Sequence, residues 1–135
     1  YKPNNLRVLL VEDDLPLKEL ISERLRELDL DVITASCGQE ALDIPDDQLE
    51  RIDLVITDFV MPNMNGKELI DRLAAKDLKF SVIYISGYPA GMTEKIGIND
   101  EDVFFINKPF KVSELTRILA IIDDQQEEKV RNDTL

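Results

Sequence analysis

The chain has 135 residues, the length of one ordinary domain, and 44% of them are apolar, enough for a single sizeable core. The balance of 16 basic against 28 acidic residues leaves a net charge of −12, which repels phosphate backbones and anionic membrane surfaces and so argues against direct nucleic-acid binding. The single Cys37 and the lack of histidine exclude an internal disulfide and a Cys/His zinc site. No apolar run approaches the roughly 20 residues of a membrane span, so membrane insertion is not expected and a cytoplasmic setting is. Tyr1 in place of Met, with no signal-peptide pattern behind it, suggests an excised segment.

After a polar start, Leu6–Val11 is a short apolar run that reads as a first strand and ends in three acids, Glu12, Asp13 and Asp14. Leu17, Leu20, Ile21, Leu25 and Leu28 then recur at helical spacing. Pro16 suits the opening turn, and Asp14 suits the cap. Val32–Ala35 reads as a second strand, and Ser36 is placed to cap a helix from Gly38 to about Ile44, which Pro45 ends or interrupts. The polar stretch 46–53 reads as a loop or a ragged last turn.

Leu54–Thr57 is a β-branched apolar run closed by Asp58, and Pro62 and Gly66 mark the loop behind it. A helix from about Gly66 to Lys76 follows, then a fourth strand over Ser81–Ile85 stopped by Ser86, Gly87, Tyr88 and Pro89. A short helix is expected within Ala90–Asp102. Val103–Ile106 is the fifth strand, leading into Asn107, Lys108, Pro109 and Phe110. A last helix runs from about Val112 to Asp123, with Leu115, Ile118, Leu119 and Ile122 on one face. Residues 1–123 thus form one domain, and the charged tail 124–135 either frays or continues towards another segment.

Five strands alternating with five helices predict an α/β fold: a doubly wound, flavodoxin-like parallel sheet in the order 2-1-3-4-5. Ligands of such sheets bind at the carboxyl ends of the strands, where the order reverses. Alone, Asp58 reads equally well as a turn cap or a site residue. The predicted order sets it opposite Glu12 and Asp13. Crowded carboxylates either take up protons or recruit a cation. With oxygen ligands only, Mg²⁺ is the natural candidate. Ser86 and Lys108 end the fourth and fifth strands and so can reach the same crevice. A carboxylate nucleophile, a metal, a lysine and a hydroxyl suit phosphoryl transfer.

These four segments, the acids after Val11, the Asp58–Gly66 loop, the Ser86 strand end and the Asn107–Phe110 run, together resemble the receiver domain of two-component response regulators. The resemblance spans about Leu6 to Ile122. It implies that Asp58 is the phosphoacceptor, that Asp13 is a direct Mg²⁺ ligand beside Glu12, and that the Val60 carbonyl is a further ligand. It makes Ser86 the switch hydroxyl, Lys108 the partner of a phosphoryl oxygen, and Phe105 the aromatic switch. The donor would be a phosphohistidine on a sensor histidine kinase or a histidine phosphotransfer domain. Residues 86–111 would form the switching surface, and the domain would catalyse its own phosphorylation and dephosphorylation.

Phe105 lacks a hydroxyl, and Val60 puts a bulky apolar group two residues after Asp58, which would shield an acyl phosphate, as would Tyr88. A long-lived phosphorylated state is therefore expected. Two other readings stay open, a phosphorylation-independent pseudo-receiver and an aspartyl-nucleophile hydrolase. The latter wants a second carboxylate where Val60 stands. The strand-end segments also resemble receivers of hybrid sensor histidine kinases. Formation of a homodimer is left open.

Overall fold

The computed structural model describes residues 6–87 and 102–133, with side chains as far as Gln125. Five strands, β1 (Arg7–Val11), β2 (Asp31–Ala35), β3 (Leu54–Asp58), β4 (Ser81–Ser86) and β5 (Val103–Asn107), form one sheet in the order β2-β1-β3-β4-β5. Every pairing is parallel. The helices among the described residues are α1 (Leu15–Glu27), α2 (Gly38–Leu42), α3 (Asp46–Leu49), α4 (Gly66–Ala74) and α5 (Val112–Asp133).

The continuous apolar runs in the sequence follow from burial on both faces, as parallel sheets require. In β1, Val8 and Leu10 join Ile56 and Ile83 under Ile21 and Leu25 of α1 and Ile118 and Leu119 of α5. Leu9 and Val11 face the other way, with Val55, against Ala41, Leu49, Leu69 and Leu73 of α2, α3 and α4. A third cluster, around Phe59, Val82 and Tyr84, fills the region beside β5. No helix among the described residues is long and apolar enough to cross a membrane.

Asp14 caps α1, its carboxylate accepting from the Leu17 N–H at 3.2 Å, and Pro16 sits in the first turn. The second helix departs from expectation. Its cap is Cys37, whose sulfur accepts weakly from the Glu40 N–H at 3.5 Å, while the Ser36 hydroxyl takes the Lys18 Nζ at 2.8 Å. It stops at Leu42, and Pro45 opens a separate turn of helix, α3, within the stretch expected as a loop or a ragged last turn. Proline fits immediately before a helix because its N–H is missing and its φ is fixed. The helix expected within Ala90–Asp102 and the position of Tyr88 lie outside the described residues. The last helix runs past the expected end at Asp123 to Asp133.

Candidate functional site

Glu12, Asp13, Asp58, Ser86 and Lys108 are carried to the same end of the sheet by β1, β3, β4 and β5. Glu12 is only 1% exposed and its N–H bonds the Ala35 carbonyl at 3.0 Å, continuing the β1–β2 ladder one step. Its Oε1 accepts from the Asp14 N–H at 3.0 Å. Asp58 closes β3 at 2% exposure, and the next N–H, that of Phe59, bonds the Ile85 carbonyl at 2.9 Å. One carboxylate oxygen from each of Glu12, Asp13 and Asp58 lies within 4.8 Å of the others.

Lys108 approaches from β5. Its Nζ stands 3.6 Å from Asp58 Oδ1, an ion pair just beyond hydrogen-bond length, and its side chain is 46% exposed. The Lys108 N–H bonds the Ser86 carbonyl at 2.8 Å, so the buried Ser86 and the lysine are held together through backbone. The Lys108–Pro109 peptide bond is cis. Phe105 is half-buried and packs with its ring 5.3 Å from Tyr84 and 6.5 Å from Phe59. The Val60 side chain is 63% exposed on the rim.

The electrostatics are those of a site short of positive charge. Burial, then contact with Asp58, pushes the Glu12 carboxyl up to about 8, although the Asp14 N–H and Lys108 pull it down. Burial also raises Asp58, with Asp13 adding to the rise and with Glu12 and Lys108 opposing it. Glu12 Oε2 and Asp58 Oδ1 are buried without a hydrogen-bond partner. Unsatisfied carboxylate oxygens at this spacing, with no thiolate or imidazole beside them, fit a hard divalent cation such as Mg²⁺.

Sequence reasoning missed the parts played by four residues. Thr57 is fully buried, and its hydroxyl faces both the Asp58 carbonyl, at 3.1 Å, and Met61 Sδ, at 3.8 Å. Gly66 donates its N–H to the Phe59 carbonyl at 2.8 Å. A methyl group there would run into the Asp58 carbonyl oxygen and sit 3.1 Å from Phe59 Cα. Phe59 and Tyr84 meet edge to face, with centroids 5.3 Å apart. A signal existed for the rings only, as aromatics placed beside Asp58 and two residues before Ser86 on adjoining strands.

A five-stranded parallel sheet of this order, with an acidic cluster at its carboxyl edge, defines the receiver class of two-component signalling proteins. The family profile described as the response regulator receiver domain matches residues 8–120, and the chain belongs to that family. Among its relatives is the cell cycle response regulator CtrA of Brucella ovis, 32% identical over 121 residues, or 87% of this chain and 50% of CtrA. The chain thus spans about half the length of the curated relatives it matches. The solved receiver domain of the hybrid histidine kinase CckA is 29% identical, with a TM-score of 0.71, covering 86% of this chain and 97% of that one. The receiver domain of Saccharomyces cerevisiae Ssk1, crystallised with the histidine phosphotransfer protein Ypd1, shares the fold at 20% identity. Its TM-score is 0.75, over 93% of each chain.

Proposed function

We propose that the chain is a Mg²⁺-dependent phosphoacceptor in a phosphorelay, with Asp58 taking a phosphoryl group from a phosphohistidine on a sensor histidine kinase or a histidine phosphotransfer domain. The chain has no histidine, so the donor imidazole is supplied from outside these residues. An Asp58 carboxylate oxygen attacks phosphorus, a P–O bond forms as the donor P–N bond breaks, and the released imidazole takes up a proton. Attack by water on the acyl phosphate later returns the carboxylate and inorganic phosphate. Both steps make the domain a catalyst of its own phosphorylation and dephosphorylation.

Glu12, Asp13 and Asp58, with the Val60 carbonyl, would hold Mg²⁺, which when bound offsets the negative charge on the phosphoryl oxygens. Lys108 would pair with one such oxygen and the Ser86 hydroxyl would donate to another. The observation that carries this reading is the trio of carboxylate oxygens within 4.8 Å, with the Lys108 ammonium 3.6 Å from Asp58 Oδ1. The added charge would re-form the surface over residues 86–111, with Phe105 as the aromatic that changes rotamer.

The receiver unit is taken to close at residue 123, with 124–135 as a polar extension and a cytoplasmic hybrid histidine kinase as host. The absence of direct nucleic-acid contacts belongs to the same proposal, which leaves dimerisation open. The pseudo-receiver reading is disfavoured because acid, hydroxyl and lysine are all present, and the hydrolase reading because Val60 replaces its second carboxylate.

Incubation with a small phosphodonor and Mg²⁺, followed by intact mass measurement, tests the reading. Wild type should gain one phosphoryl group and Asp58→Ala none. Gain in the variant would move the acceptor elsewhere, and no gain in either would favour the pseudo-receiver.

A further inference from the structure

The Thr57 hydroxyl has a single proton and two acceptors, the Asp58 carbonyl and the sulfur of Met61. These acceptors bracket Phe59 and Val60. Shared between the two acceptors as a three-centre bond, that proton spans the segment that starts at Asp58 and contains the carbonyl proposed as a metal ligand, and so acts as a short staple over it. Val60 cannot hold that position by packing, since its side chain is 63% exposed. It also takes part in no hydrogen bond among the described residues. What fixes its backbone lies on either side: the Phe59 N–H bonded to Ile85 before it and the buried Met61 side chain after it.

We infer that Thr57 is a positioning residue for the Mg²⁺ site, acting through Asp58 and Met61 to hold the Val60 carbonyl in place. The inference rests on the proposed metal role of that carbonyl. Thr57 is 0% exposed and lies on β3 between Val11 of β1 and Tyr84 of β4, so it cannot itself reach a ligand. Its polar group is costly to bury unless it is hydrogen-bonded. Valine would fill the same space without the hydroxyl, at a position where its neighbours Ile56 and Val55 are apolar already. A merely structural hydroxyl would change folding stability and leave metal affinity alone.

Calorimetric titration of the full chain with Mg²⁺ alone separates the two roles. Thr57→Val should weaken binding by about two- to tenfold, the range expected for loss of one hydrogen bond, and Thr57→Ser should recover most of the affinity. Met61→Leu should weaken it by no more than Thr57→Val does, and the double variant should lose no more than Thr57→Val alone, because Met61 enters the staple only through a contact that Thr57 supplies. In the metal-free protein, amide exchange at Phe59–Met61 should be faster in Thr57→Val than in wild type. Wild-type affinity in Thr57→Val, or a loss that serine does not recover, overturns the inference. If wild type binds no Mg²⁺, the metal reading fails, and unchanged exchange in the metal-free variant would then dispose of the staple as well.

Discussion

Val60 is the residue whose chemistry bears most directly on how long a phosphorylated Asp58 would survive. It stands two positions after the proposed acceptor and is exposed, so water approaching an acyl phosphate there would meet an apolar side chain. Val60→Asn replaces that obstacle with an amide able to hydrogen-bond and orient water, and loss of the acyl phosphate should speed up by several-fold. Timing phosphate release from pre-phosphorylated wild type and variant checks this, and equal rates would rule out shielding. Unlike the buried Glu12, Asp58 and Ser86, Lys108 is almost half exposed, with a long flexible stem. It can follow a charge that moves from the carboxylate to a phosphoryl group without repacking the core.

At the scale of elements, the site depends on how closely α4 approaches the end of β3. Gly66 is the first residue of α4, and Asn65 caps the helix by accepting from the Glu68 N–H at 2.8 Å. The helix therefore begins directly against the Asp58–Phe59 backbone, where only hydrogen fits on the Gly66 Cα. Gly66→Ala should cost about 1–3 kcal/mol through overpacking, visible as a lower urea midpoint. Phosphorylation should also slow, because the acceptor's own backbone must give way. An unchanged midpoint would show that the loop relaxes freely.

This approach was not legible in the sequence. Gly66 reads there as a turn signal, and the crossing that makes it necessary depends on tertiary packing. The second helix was misread for a related reason. Serine is the better cap acceptor, but Lys18 from α1 engages the Ser36 hydroxyl and a weak sulfur cap takes over at Cys37. Asp14 was legible because a capping carboxylate acts within three residues of itself.

For the whole molecule, the strands followed from the apolar runs and their order from the common doubly wound arrangement of five strands, and that order brought Glu12, Asp13 and Asp58 together. What chain order could not convey is the consequence of burying two of these acids, Glu12 and Asp58, in a protein of net charge −12. Glu12 has a folded-state pKa of about 8 against an ordinary value of 4.5. Its contribution to stability is therefore complete below pH 4.5 and is lost as the pH rises through 8, where the buried group must ionise. The metal-free domain should melt at a lower temperature at pH 8 than at pH 6. Glu12→Gln should flatten that part of the profile, and added Mg²⁺ should restore stability most at the alkaline end, where its ligands are already deprotonated. Identical pH profiles for wild type and Glu12→Gln would show that burial of this carboxyl does not govern the metal-free state.

The cap of α2 also has a practical side. Cys37 is the only thiol in 135 residues and is exposed. It lies two residues beyond Ala35, whose carbonyl accepts the Glu12 N–H. One maleimide dye therefore attaches at one place, near the acidic rim, and displaces only a long sulfur contact. These 135 residues thus carry their own attachment point for a fluorescent reporter with which to test the proposed cation binding, with no engineered cysteine.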